Sequence, residues 1–128
     1  MKKIIFLTLA EVIEIHADQI EQYGGRDGIR DINLLSSAIA APHATFSGDF
    51  LHRDICEMAA AYAFYVSQNH PFVDGNKRTA LVSALVFLEI NGIGISDPDE
   101  KLYESMTKIA SGKMTREEFA LILRKLAG

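Results

Sequence analysis

The chain has 128 residues, of which 48% are hydrophobic and 23% are charged. This length and composition predict one globular domain over residues 1–128, with enough apolar residues for a core. The formal net charge of −4 argues against direct nucleic-acid binding, because non-specific binding depends on neutralising phosphates with cations. The single cysteine, Cys56, excludes an intramolecular disulfide and a cysteine-based zinc site. We expect Cys56 to be a small buried hydrophobe, since apolar residues flank it.

The apolar segments are too short for a targeting or membrane role. The run from Ile4 to Leu9 follows Lys2 and Lys3, as in a signal peptide, but it is shorter than a usual signal core and Glu11 comes directly after it. The apolar run over 80–90 is too short to span a bilayer. We therefore expect a cytoplasmic protein without membrane association.

Capping signals and apolar periodicity divide the chain into six predicted helices. Thr8 followed by Glu11 fits a capping box, in which each side chain bonds the backbone of the other residue. Asp31 is a favoured N-cap for a short second helix. The predicted helices cover about 8–23, 32–40, 53–69, 76–91, 98–111 and a last helix that begins at 116 and includes Leu126.

These helices predict an all-α fold, a compact bundle of about six helices around a buried central helix. The segment 76–91 is apolar nearly all round, so we expect it to be the central helix. The sequence from Asp97 to Glu100 predicts a helix whose first residue is Pro98 and whose third is Glu100. The stretch 43–52 has no clear period and predicts a loop, and Ile4–Leu7 or Ile93–Ile95 is a candidate short strand.

The segment His70–Thr79 concentrates the polar chemistry of the chain just before the fourth predicted helix. Helix N-termini carry unpaired N–H groups and partial positive charge, so they bind phosphate. Asn76 lies near that helix start, and Gly75 lets the backbone approach a ligand closely. Lys77 and Arg78 add two cations where a helix dipole disfavours cations. A bound anion at this position would offset the unfavourable interaction between these cations and the helix dipole.

Three further residues of the segment complete a candidate reaction site. Asp74 is a hard oxygen ligand suited to Mg²⁺, and His70 is the obvious general base for a hydroxyl that attacks phosphorus. Phe72 is predicted to anchor the loop in the core. A simpler interpretation stays open, in which His70-Pro71 ends a helix and Asp74-Gly75 is an ordinary turn beside solvated charges.

Residues 70–78 resemble the core motif of the Fic/Doc family, which reads His-Pro-Phe-x-(Asp/Glu)-Gly-Asn-(Gly/Lys)-Arg. Segments 23–25, 28–31 and 34–42 are similar to the N-terminal half of the death-on-curing (Doc) branch, so the resemblance covers roughly the whole chain. It implies a six-helix Fic/Doc-like fold with ATP and Mg²⁺ as cofactors. It also implies that His70 deprotonates a target hydroxyl, that Asp74 binds Mg²⁺ and that residues 75–78 hold the phosphates.

Two positions indicate which chemistry the resemblance implies. Members that transfer AMP usually have Gly at the position of Lys77 and a second Arg at the position of Leu81. The present residues resemble the Doc toxin, a kinase of translation elongation factor Tu, and imply phosphoryl transfer to a protein hydroxyl. Pro71 and Gly75 instead favour AMP transfer. A third hypothesis is a non-catalytic binding module that blocks translation by occupying a partner.

The resemblance also bears on regulation. Many Fic proteins carry an inhibitory segment of the form Ser/Thr-x-x-x-Glu-Gly/Asn. The partial match from Ser96 to Glu100 is followed by Lys101, so we assign Glu100 to the helix cap described above. The resemblance therefore implies a toxin with a separate Phd-like antitoxin, whose disordered segment folds into a groove on the toxin.

Two positions outside the motif are of interest. His16 shares the apolar face of the first helix and is expected to be a core histidine with its hydrogen bonds satisfied. A supporting role for it stays open. The resemblance assigns Arg30 and Asp31 to a flap that aligns the target segment.

Overall fold

The computed structural model describes residues 3–128, so Lys2 of the N-terminal basic pair lies outside the described residues. The all-α prediction is confirmed over this range. A 3₁₀ turn at Ala41–His43 and two antiparallel strands, β1 (Thr45–Phe46) and β2 (Asp49–Phe50), connect the second helix to the third. The helices are α1 (Leu9–Tyr23), α2 (Ile32–Ala40), α3 (Ile55–Asn69), α4 (Asn76–Ile90), α5 (Lys101–Ala110) and α6 (Arg116–Leu126).

Most helix starts follow the capping chemistry of the sequence. The Thr8 hydroxyl accepts a hydrogen bond from the Glu11 N–H, and the Glu11 carboxylate accepts one from the Thr8 N–H. Thr115 and Glu118 form the same reciprocal pair at α6. The Asp31 carboxylate caps α2 by accepting from two backbone N–H groups. Each cap satisfies donors that the helix itself leaves unpaired.

The start of α5 was predicted incorrectly. The helix begins at Lys101 rather than Pro98, and the Asp97 carboxylate caps it from a distance by accepting from the N–H groups of Lys101 and Leu102 at 3.0 and 2.9 Å. Glu100 has a left-handed φ of 52° and is the N-cap, not the third helical residue. A turn therefore separates the Asp97–Pro98 signal from the helix that it stabilises.

Two connecting segments also differ from the predictions. The stretch 43–52 is not all loop, because β1 and β2 pair across Ser47 and Gly48, which have φ values of 53° and 85°. Positive φ at both turn residues matches the twist of a tight hairpin. Neither candidate short strand is formed in the part of the chain described, although Ile95 makes one isolated bridge to Ala127.

The buried central helix is α3, which corrects the assignment of that position to residues 76–91. Alanines dominate the buried part of α3 around Tyr62, and their small side chains let α2, α4, α5 and α6 pack closely against it. The apolar α4 packs on α1, α3 and α5 and leaves Leu81 and Val82 only half-buried. No helix within residues 3–128 combines the length and apolar character needed to cross a membrane. At the start of α4, Asn76 is buried, whereas Lys77 and Arg78 are half-buried.

Candidate active site

His70 ends α3 in a left-handed conformation, with φ 46° and ψ 54°, and it is exposed. The segment before α2 fixes its backbone: Arg30 Nε donates to the His70 carbonyl at 2.7 Å, and Arg30 Nη2 donates to the Asn69 carbonyl at 3.0 Å. The backbone N–H groups of Arg30 and Asp31 both donate to the Pro71 carbonyl, at 2.7 and 3.0 Å. The histidine backbone is therefore held while its ring faces solvent.

The middle of the loop is fixed from the core side. Phe72 is 1% exposed, and the Asn76 side chain both accepts from the Phe72 N–H at 3.0 Å and donates to the Phe72 carbonyl at 3.1 Å. The His16 ring is 2% exposed and stacks on the Phe72 ring at 3.8 Å with an interplanar angle of 4°. His16 Nε2 lies 2.8 Å from the Asp74 carbonyl oxygen and donates to it. His16 is thus a buried and hydrogen-bonded histidine, as predicted, and it positions the loop.

Gly75 is the N-cap of α4 and has a φ of 76°, in the left-handed region that glycine adopts without strain. A Cβ at this position would lie 3.1 Å from Ile20 Cδ1, so α1 also restricts the position to a small residue. No side chain caps α4, because Gly75 has none to offer. Lys77 and Arg78 lie in this uncapped first turn, where backbone N–H groups and cations together favour an anion.

The Arg78 side chain is held between two aromatic rings. Its Cζ lies 4.0 Å from the ring centroid of Tyr23, at the end of α1, and 4.6 Å from that of Tyr103, in α5. Lys77 Nζ lies 5.7 Å from the same Tyr103 centroid. Cation–π contacts of this kind restrict a flexible side chain. Sequence reasoning missed both tyrosines as site residues, because nothing in the local sequence places α1 and α5 beside the motif.

The Asp74 carboxylate is exposed and hydrogen-bonded by backbone. Oδ1 accepts from the Gly75 N–H at 2.9 Å, and Oδ2 accepts from the Arg26 N–H at 3.2 Å. Each oxygen keeps a further lone pair, so the group fits Mg²⁺ as one carboxylate ligand. Residues 3–128 contain no cluster of three or more His, Cys, Asp or Glu side chains able to hold a metal. A metal at Asp74 therefore needs phosphate or water oxygens for its remaining positions.

An open pocket of about 330 Å³ brings the predicted polar residues together. Its wall contains His70, Asp74 and residues 75–78, together with Tyr23 and Tyr103. Phe72 lies beneath the loop instead, in the core. A base, a carboxylate and two cations thus face one space at a helix N-terminus, which is an arrangement suited to a metal-bound polyphosphate and an attacking group.

The chain is similar in sequence to known proteins of one family. Residues 6–88 match the model of the Fic/DOC family, a range that runs from just before α1 almost to the end of α4. The chain therefore belongs to the Fic/Doc family.

Two relatives of the chain carry the name Doc, that of the death-on-curing branch. The chain is 35% identical, over 118 residues and 92% of each chain, to the protein of Escherichia phage P1 named protein kinase doc. It is also 42% identical to the protein of Mycolicibacterium smegmatis named toxin Doc, over 74 residues that make up 58% of this chain and 57% of that relative.

Proposed function

We propose that this chain is a toxin that transfers the γ-phosphoryl group of Mg-ATP to a hydroxyl of a protein target. The observation that carries the proposal is the single pocket that His70, Asp74 and the cationic first turn of α4 share. The printed names of the two relatives, a protein kinase and a toxin, support the same function.

The pocket residues account for each part of this reaction. His70 takes the proton of the attacking hydroxyl, whose oxygen forms a bond to the γ-phosphorus. The bond from the γ-phosphorus to the β,γ-bridging oxygen breaks, and ADP leaves with that electron pair. Lys77, Arg78 and the free N–H groups of α4 bind the phosphate oxygens. Asp74, together with the phosphates, would hold Mg²⁺, and the ion would supply positive charge that offsets the negative charge of the triphosphate.

Two side chains favour phosphoryl transfer over AMP transfer. Lys77 occupies the space that the AMP-transferring branch leaves open by having glycine. Leu81 replaces the second arginine, so an apolar side chain stands one turn into α4, and the phosphate-binding cations are confined to the first turn. Pro71 and Gly75 favour AMP transfer by resemblance, so AMP transfer stays the alternative reaction. The two N–H groups that bond the Pro71 carbonyl and the φ of 76° at Gly75 identify neither reaction.

The biological setting follows from the same family. We propose that residues 1–128 act as one domain in the cytoplasm, that a Phd-like antitoxin neutralises the toxin, and that the target is a translation factor, elongation factor Tu by analogy. The charge of −4 makes a protein a better target than nucleic acid. We expect co-expression of the antitoxin to abolish growth arrest. Deletion of the antitoxin's disordered segment should restore the arrest.

ATP labelled at the α or the γ position tests the reaction directly. Under our proposal, label passes to the target from γ-labelled ATP only. Transfer of label from the α-phosphate establishes AMP transfer and rejects the kinase assignment. A Lys77→Gly variant separates the two further, since it should lose phosphoryl transfer but retain or gain AMP transfer.

Replacing His70 tests whether chemistry is needed at all. We expect His70→Ala to lose roughly 10²–10⁴-fold in rate and to stop arresting growth. His70→Asn is the matched control for folding, because asparagine tolerates the left-handed conformation of this position and also lacks a base. If both variants fold and still arrest growth, the protein acts as a binding module and not as an enzyme.

A further inference from the structure

The side chains of the two cations in the first turn of α4, Lys77 and Arg78, make no hydrogen bond or ion pair with any of residues 3–128. Both side chains are half-buried and border the pocket of the motif. A guanidinium carries five N–H donors and an ammonium carries three. All of these donors are therefore available to an anion in the pocket.

Aromatic rings contact the two cations instead. The ring centroid of Tyr103 lies 4.6 Å from Arg78 Cζ and 5.7 Å from Lys77 Nζ, so one ring serves both side chains. The ring centroid of Tyr23 lies 4.0 Å from Arg78 Cζ and adds a second contact for the guanidinium alone. A ring attracts a cation through its quadrupole but has no net charge. It can hold a cation in place without cancelling the positive charge.

Carboxylates near Arg78 show why this difference matters. Asp97 and Glu100 border a neighbouring cavity whose wall also includes Arg78 and Tyr103. Neither carboxylate forms an ion pair with the guanidinium in the part of the chain that the structure describes. Such a pair would occupy N–H donors and place negative charge beside a bound phosphate. Contact with rings leaves the full charge of Arg78 for the anion.

We propose, on the basis of the proposed function, that Tyr103 is a positioning residue that holds Lys77 and Arg78 ready for the phosphates of ATP. Tyr23 and Tyr103 together form an aromatic clamp on Arg78. A side chain that is held in advance loses less conformational entropy when the phosphate binds, so the clamp raises the affinity for phosphate. Tyr103 lies in α5, outside the residues 6–88 that match the family model, so the motif itself does not contain this device.

Calorimetric titration with inorganic tripolyphosphate in excess Mg²⁺ tests the aromatic clamp. Tyr103→Leu removes the ring and should weaken binding roughly fivefold to tenfold, whereas Tyr103→Phe keeps the ring and should bind within about twofold of the wild type. Tyr65→Leu is the matched control, because Tyr65 is also half-buried and its ring centroid lies 5.4 Å from Arg116 Cζ, in the wall of a different cavity. It should leave the tripolyphosphate affinity unchanged.

A second variant guards against a folding defect in Tyr103→Leu. Tyr23 is 59% exposed, so Tyr23→Leu should fold as the wild type does and weaken binding roughly twofold to fivefold. In an Arg78→Gln background, Tyr23→Leu should cause no further loss, because its ring acts through the guanidinium. The same loss in both backgrounds would show a merely structural role and would overturn the assignment.

The outcomes separate this inference from the proposed function. Wild-type tripolyphosphate affinity in folded Tyr103→Leu and Tyr23→Leu variants overturns the aromatic clamp and leaves the proposed phosphoryl transfer standing. Equal losses in Tyr103→Leu and Tyr103→Phe, or in Tyr103→Leu and Tyr65→Leu, overturn it as well, since the ring beside the cations is then not the cause. If the wild-type protein binds neither ATP nor tripolyphosphate, the proposed function and this inference are both rejected.

Discussion

The two glycines that follow α1 offer a test of Asp74 that separates its carboxylate from backbone strain. A Cβ added to Gly25 would lie 2.9 Å from Asp74 Oδ2 and 3.3 Å from Asp74 Cγ, and also 3.2 Å from Ile20 Cδ1. A Cβ added to Gly24 would have no heavy atom within 4 Å. The φ values are +81° at Gly24 and +113° at Gly25, so alanine strains the backbone at both positions. Only Gly25→Ala displaces the carboxylate.

The magnitude follows from the contacts that the displacement disturbs. Backbone strain costs each variant about 1–3 kcal/mol. Moving Asp74 Oδ2 away from the Gly25 Cβ also loosens its hydrogen bond from the Arg26 N–H, at 3.2 Å. We assign about 1 kcal/mol to this exposed contact, below the value for a buried charged hydrogen bond. A misplaced metal ligand should lower the affinity for Mg²⁺ in the presence of ATP roughly tenfold, or about 1.4 kcal/mol.

Urea denaturation measures the first effect, and Mg²⁺ titration at saturating ATP measures the second. We expect both alanine variants to lose stability, with Gly25→Ala slightly the worse, but only Gly25→Ala to lose Mg²⁺ affinity. Equal losses of Mg²⁺ affinity in the two variants would mean that loop strain, not the carboxylate, is responsible. Wild-type Mg²⁺ affinity in a folded Gly25→Ala variant would refute the placement of the metal at Asp74.

Two further predictions concern stability. Phe72→Ala should cost about 3–5 kcal/mol in urea denaturation because it removes a core ring, whereas Phe46→Ala, at a ring that is 77% exposed, should cost under about 0.5 kcal/mol; similar midpoints for the two variants would contradict the buried anchor. Burial, and to a smaller extent the Arg116 guanidinium, lowers the pKa of His52 below 6.5. As pH decreases, the unfolded chain therefore binds this proton before the folded chain does, and the stability should fall as pH decreases through 6.5. His52→Gln should flatten this dependence between about pH 7.5 and about pH 5.5, and an unchanged slope would assign the pH effect to other groups.

Local interactions made the helix starts predictable. The Thr8 and Thr115 capping boxes and the Asp31 cap each join residues three or fewer positions apart, so the sequence contains the whole interaction. Asp97 caps across a turn, onto residues four and five positions ahead, and the left-handed Glu100 has no sequence signal of its own. The displaced start of α5 could not be predicted for that reason.

The central helix was misassigned because hydrophobicity and centrality are different quantities. The large apolar side chains of α4 gave the stronger signal, but large side chains also keep neighbouring helices apart. The alanines around Tyr62 in α3 let four helices approach. Close approach depends on side-chain volume at matching positions on two helices, and one helix sequence does not supply the partner.

The candidate site also has a part that the sequence predicts and a part that depends on how the helices pack. Residues 70–78 are contiguous, so the sequence alone shows which chemical groups this part of the site contains. Tyr23 and Tyr103 come from α1 and α5 and join the site only through the packing of those helices on α4. Arg30 was assigned to a flap by resemblance, yet its bonds to the carbonyls of residues 69–71 could not be inferred, because they depend on where the chain returns after α1.

The way in which the loop is held explains how an exposed histidine can still be well positioned. Left-handed residues stand at both ends of the loop, His70 and Gly75, and together they turn the chain from α3 into α4. Arg30 holds the first half of the loop by donating to the His70 carbonyl, and the buried His16 holds the second half by donating to the Asp74 carbonyl. Every one of these bonds is internal to the protein, so the loop is formed before any ligand arrives. Under the proposed function, binding energy then goes into placing the substrate and not into ordering the loop. This is the condition under which a single base and two cations can be effective.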